Sequence, residues 1–129
     1  LTYTEDEIKS FKVWGEFHNY PKCCIDWFCS VHYTERPDDY NSGAAYGTGY
    51  LPCPECSCKC NTEDDLYNIL GRDIKLNQST KPSEVYEETL EDMLSNKYKS
   101  IASKHNLDYT DYLEWVNTKC NEFKLEGVN

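Results

Sequence analysis

Seven of the eight cysteines fall between Cys23 and Cys60, in the runs YPKCCIDWFCSVH and LPCPECSCKC, with His32 among them. Thiolates and an imidazole at this density are ligands for soft and borderline metal ions, zinc above all. Cys53-Pro-Glu-Cys56 forms a knuckle, in which two sulfurs can grip one ion while the turn's backbone N–H groups face them. Tetrahedral zinc needs four ligands, commonly two pairs from separate segments. The second pair is expected from Cys23 and Cys24, in the first turn of a helix, where unsatisfied N–H groups and the positive end of the dipole favour thiolate. Neighbouring helical residues diverge by about 100°. Whether both sulfurs reach the ion is therefore open; Cys24 shares the inward face with Ile25 and Phe28.

The remaining candidates, Cys29, His32, Cys58 and Cys60, make a possible second site. Cys29 and His32 are three apart on a helix and share a face. Seven cysteines and one histidine would fill two tetrahedral shells. The plainer readings are a core cysteine at 29, a helix-end histidine at 32, and unliganded thiols at 58 and 60. Knuckle-plus-pair spacing favours zinc over an iron–sulfur cluster, although thiolates alone do not decide between them. An even cysteine count also raises a disulfide framework. Against that, Cys53, Cys56, Cys58 and Cys60 crowd into eight residues, whereas scaffold disulfides usually tie distant segments. Cys120 falls on an apolar helical stripe and reads as packing. The metal reading implies a reducing, intracellular (cytoplasmic) location. Secretion is the lesser alternative, supported by one sequon at Asn77-Gln78-Ser79.

Tyr20-Pro21-x-Cys23-Cys24-Ile25, with Phe28 and then Pro52-Cys53-x-x-Cys56, resembles a pattern of small uncharacterised prokaryotic and viral proteins. In these a Y-P-x-C-C-[IV] segment precedes P-C-x-x-C or P-C-x-x-H. The resemblance covers about a quarter of the chain and nothing after residue 60. It implies metal binding at Cys23, Cys24, Cys53 and Cys56, and implies no reaction. Cys58 and Cys60 depart from the pattern and leave one metal or two open.

Other motifs carry less. Gly43, Gly47 and Gly49 give G-x-x-x-G-x-G, neither a dinucleotide fingerprint nor a phosphate loop. The segment reads as a flexible loop with Tyr40, Tyr46 and Tyr50 partly packed, or as a lid over a site. A thioredoxin-type role for Cys53-x-x-Cys56 would need a strand before it and a helix after it, and CPECSCKC looks like neither. A Cys29–His32 nucleophile pair lacks an orienting third group. Glu84, Glu87, Glu88, Glu91 and Asp92 read as a solvated helix face. His18 and His105 sit near helix C-termini, where an imidazole is electrostatically comfortable.

The elements that must position the cysteines are mostly helices. Thr4-Glu5-Asp6-Glu7 opens one with a capping box, followed by Ile8, Phe11, Trp14 and Phe17 at three-residue steps. A second is expected to start at Pro21, as first helical residue, and to end before Pro37. Residues 37–52 are loop by composition, with any strand confined to short pieces around 46–52. Thr62 and Asp65 open a short helix that Gly71 stops after Leu70. Residues 72–82 are polar and connect onward. Ser83 is expected to cap the longest helix, with Tyr86, Leu90, Met93, Leu94, Tyr98 and Ile101 as its stripe to about His105. Asp108 or Thr110 starts the last, aligning Tyr112, Leu113, Val116, Cys120 and Phe123. The fold class is therefore mainly α: one small domain of about five helices, with a metal-binding half at 1–61 and a helical half at 62–129.

The 129 residues carry a net charge of −10, with acids against bases at 9 to 5 in residues 1–61 and 14 to 8 in residues 62–129. Charge of this sign repels phosphate backbones and argues against direct nucleic-acid binding. It suits a basic protein partner. No apolar run approaches membrane-spanning length. The one methionine is Met93, so the chain is expected to be trimmed, processed or part of something longer. These readings converge on a zinc-binding, non-enzymatic interaction or regulatory module. The alternatives are a metalloenzyme or iron–sulfur protein built on the same cysteines, and an acidic nucleic-acid mimic that blocks a nucleic-acid-binding protein.

Overall fold

Helix starts in this chain follow its capping residues and prolines. In the computed structural model, which describes residues 1–74 and 81–125, Thr4 and Glu7 close the expected capping box. It opens helix α1, Glu5–Phe17. Helix α2 runs Lys22–Ser30, with Pro21 as its N-cap rather than its first helical residue. The ring holds Pro21 at φ −57°, but ψ is 145°, and its carbonyl accepts from the amides of Cys24 and Ile25. The helix ends at Ser30, and Arg36 folds back on that end. Its guanidinium donates to the Phe28 and Val31 carbonyls and to the Tyr3 hydroxyl, and stacks 4.3 Å from the Phe28 ring.

A 3-10 turn at Gly43–Ala45 interrupts the glycine-rich loop, and no strand forms at 46–52. Helix α3 is the four-residue turn Pro54–Ser57. Helix α4, Glu63–Leu70, has the Thr62–Asp65 capping box and ends at Gly71 in the left-handed region, φ 67°. Helices α5 (Pro82–Leu94), α6 (Asn96–Lys104) and α7 (Thr110–Leu125) follow. The described residues are thus mainly helical, with seven α-helices and no strand. Two more helices form than expected because α3 is too short to show a period and the long helix breaks in two.

That break is at Ser95. Its backbone is extended, its hydroxyl accepts from the Tyr98 amide, and α6 starts afresh behind it. In one continuous helix Met93 and Tyr98 would point about 140° apart. With the break both are completely buried, while Leu94, which the stripe placed inside, is half exposed. Ser83 is not the cap of α5. Pro82 takes the first helical position, Lys81 the N-cap, and Ser83 is buried. The longest helix is α7; Asp108 Oδ1 accepts from the amide and hydroxyl of Thr110 just before it.

The chain divides into two compact units, Leu1–Gln78 and Ser79–Asn129. Helix α4 belongs to the first, because Leu66 and Leu70 pack into one core with Cys24, Ala45, Tyr50, Cys53, Cys56 and Cys60. In the second unit α5 packs against α7, and Met93, Tyr98, Ala102, Val116 and Cys120 are buried. The Asn77 sequon lies outside the described residues.

Candidate metal centre

Two proline-led turns bring four sulfurs to one point. Ahead of α2, Pro21 makes Lys22, Cys23 and Cys24 the first three helical residues. Helical side chains lean toward the N-terminus, so both cysteines hang over the helix start in spite of their angular divergence. Ahead of α3, Pro54 holds Cys53 extended at φ −65°, ψ 165°, as the N-cap residue. The turn then returns Cys56 to the same side.

The Sγ atoms of Cys23, Cys24, Cys53 and Cys56 all lie within 4.8 Å of one another. Cys23 Sγ is 3.5 Å from Cys56 Sγ and 4.0 Å from Cys24 Sγ. An ion bound tetrahedrally at ~2.3 Å sets its sulfurs about 3.8 Å apart. This group of four could therefore hold a metal ion. Cys24, Cys53 and Cys56 are buried; Cys23 is exposed. Both adjacent cysteines reach the point, which spacing alone left open.

The electrostatics describe thiols that resist sharing charge. Burial pushes the Cys24 thiol up to about 11, in spite of its contact with the Tyr50 hydroxyl at 3.0 Å and with the Cys53 amide at 3.4 Å. Burial likewise raises Cys56, and its neighbouring thiols push it further. Burial raises Cys53 too, but the Cys56 backbone N–H and the surrounding thiols outweigh it and hold Cys53 below the ordinary range. One thiolate among protonated neighbours is what like charges in a small volume allow. A divalent cation at the centre would reverse that balance.

The Gly/Tyr loop covers one flank. Tyr50 is buried with its hydroxyl on Cys24, and its ring stacks on Tyr20 at 4.9 Å. The Tyr40 hydroxyl donates to the Pro52 carbonyl, while Tyr46 is exposed. Gly43 has φ 59°, and a Cβ there would sit 2.0 Å from the Cys60 carbonyl, which accepts from the Ala44 amide. The loop is thereby fastened to the end of the knuckle. Tyr50 as a partner of Cys24 had no signal in the sequence beyond its place in that loop.

The second candidate set is not brought together: among the described residues no three of Cys29, His32, Cys58 and Cys60 form a ligand group. Cys29 is half-buried on α2, and Cys60 is fully buried in the core beside the four. Cys58 is exposed. His32 faces Thr34 through Nδ1 and lies between the Tyr3 and Tyr33 rings. All eight cysteines, each among the described residues, are free thiols, and Cys120 is a buried packing residue of α7. No family model, curated protein or solved structure matches the chain.

Proposed function

We propose that the first unit is built around one structural zinc ion, held by Cys23, Cys24, Cys53 and Cys56, and that the protein is a non-enzymatic module that docks on a protein partner. The observation that carries the zinc reading is the mutual approach of four sulfurs within 4.8 Å, drawn from two segments. Four thiolates complete zinc's tetrahedral shell and leave no position for substrate, whereas catalytic zinc keeps one open. A four-iron cluster gives each thiolate its own iron and spreads the sulfurs around a larger body; sulfurs this close suit a single ion. The net charge of −10 favours a basic surface on the partner, and a reducing cytoplasm would keep the thiols available.

Elemental analysis of the purified chain tests this. One zinc per chain and a colourless protein are expected. Cobalt in place of zinc should give a tetrahedral thiolate spectrum that azide leaves unchanged. A brown protein would reassign the site to iron, and cobalt bands that move with azide would make it an open, enzyme-like centre. Disulfides in place of free thiols would remove the metal altogether.

A further inference from the structure

The four sulfurs of the proposed zinc centre are not equally placed. Cys23 is exposed, whereas Cys24, Cys53 and Cys56 are 2%, 5% and 9% accessible. Cys24 is further held by its contact with the Tyr50 hydroxyl and accepts from the Cys53 amide. An oxidant arriving from solvent meets Cys23 first. Three sulfurs stand near it, Cys56 at 3.5 Å, Cys24 at 4.0 Å and Cys53 within 4.8 Å, and Cys56 and Cys24 are the two in direct contact with it. Cys24 is its chain neighbour. Consecutive Cα atoms are about 3.8 Å apart, below the span of about 4.4–6.8 Å that disulfides adopt, and a helical turn does not distort to accept that ring. Cys56 lies 33 residues away on a separate helix and carries no such restriction.

We propose that Cys23 is the oxidisable thiolate of the centre, which hydroperoxides convert to a disulfide with Cys56, expelling the metal. This rests on the zinc reading above. In the first step the Cys23 thiolate attacks one peroxide oxygen. The S–O bond forms, the O–O bond breaks, and the leaving hydroxide takes a solvent proton to become water. The Cys56 thiolate then attacks the Cys23 sulfenic sulfur. The S–S bond forms, the S–O bond breaks, and a second hydroxide leaves and is protonated. The two sulfurs lose two electrons, and the two peroxide oxygens gain them. Cys24 and Cys53 alone do not hold zinc, which dissociates. The disulfide still ties α2 to α3, so the first unit exchanges one cross-link for another.

The test is one equivalent of hydrogen peroxide added to the zinc-loaded full chain, with a metallochromic dye reporting free zinc. Zinc should appear in step with peroxide consumed, and peptide mapping should find Cys23 joined to Cys56. Dithiothreitol with fresh zinc should restore the starting state. Cys58→Ser, which removes the other exposed cysteine of the first unit, should release zinc at a rate within about twofold of the parent. Brief alkylation of the zinc-loaded Cys58→Ser protein should mark Cys23 first, a readout that needs no change to the ligands. A disulfide between any other pair overturns the proposal. So does zinc that stays bound while Cys29 or Cys58 oxidises, or a Cys58→Ser protein that releases zinc more than about tenfold more slowly. A chain that takes up no zinc at the outset overturns the metal centre itself, and this inference with it.

Discussion

Of the four clustered cysteines Cys24 is the most buried, and its surroundings bear directly on how the centre responds to pH. In the metal-free fold its thiol is raised from the ordinary 9.0 to about 11, and Cys56 is raised as well. Both must lose protons to bind a metal. Metal affinity should therefore climb with pH through the neutral range, by at least about two log units per pH unit, and fall away as pH drops. Competition with a zinc chelator of known affinity at several pH values measures this; a flat profile would exclude these two sulfurs as ligands. Without metal the sign reverses. A thiol whose folded pKa lies above its unfolded value stabilises the fold below about pH 9, and that contribution is lost as pH rises through about 11. Cys53, held low, acts oppositely. Tyr50→Phe removes the hydroxyl that meets Cys24 and should weaken metal binding about 10- to 100-fold while the ring still fills its place. Cys56→Ser should lose the metal, whereas Cys120→Ala should keep it and cost roughly 1 kcal/mol. Metal retention by the serine variant would show that the ligands lie elsewhere.

At the scale of elements, Gly43 and Gly71, two of the four glycines with positive φ, make different demands. Gly71 ends α4 at φ 67°, and nothing lies within 4 Å of an added Cβ. Gly71→Ala should cost only about 1 kcal/mol, the strain of the left-handed backbone. Gly43 combines φ 59° with a Cβ position 2.0 Å from the Cys60 carbonyl, itself backbone in the core. Gly43→Ala must displace the loop or the knuckle, and a loss of about 3 kcal/mol or more is expected, with weaker metal binding. Denaturant midpoints of the two metal-loaded variants decide the order; equal losses would mean that the loop is not fastened where it is described. Ser95→Ala removes the hydroxyl that starts α6 and should cost about 1 kcal/mol. Arg36→Lys keeps the charge but loses the planar guanidinium that stacks on Phe28 while its Nη2 meets the Phe28 and Val31 carbonyls and the Tyr3 hydroxyl, and should destabilise the first unit by about 1–2 kcal/mol.

For the whole molecule, the division at residue 78 governs what metal removal does. In the first unit four cysteines, Cys24, Cys53, Cys56 and Cys60, make up half of an eight-residue buried core with Ala45, Tyr50, Leu66 and Leu70. Structural zinc contributes on the order of 10 kcal/mol to folding, comparable with the whole stability of a small domain. Chelation should therefore unfold the first unit, while the core of Met93, Tyr98, Ala102, Val116 and Cys120 keeps the second folded. Amide exchange before and after chelation reads this residue by residue. Protection lost equally in both units would mean that they fold as one.

Much of this protein was legible in local chemistry. Both capping boxes, the stop at Gly71 and the pairing of Cys23-Cys24 with Cys53-x-x-Cys56 depend on residues a few positions apart. Helix ends and metal-ligand turns are set at that range, so spacing is informative. Three things were decided only by tertiary structure. The break at Ser95 lies inside an unbroken apolar period, and only the gain from burying Met93 and Tyr98 together selects it. Helix α4 joins the first unit because its leucines meet the cysteines, a contact between segments whose affinity no periodicity encodes. Cys60 and Cys29 carry the same side chain as the four clustered cysteines, yet lie outside the group; which thiols face one another depends on how α2, α3 and the loop at 43–50 pack. Residue type sets what a cysteine can bind, and the fold sets which cysteines meet.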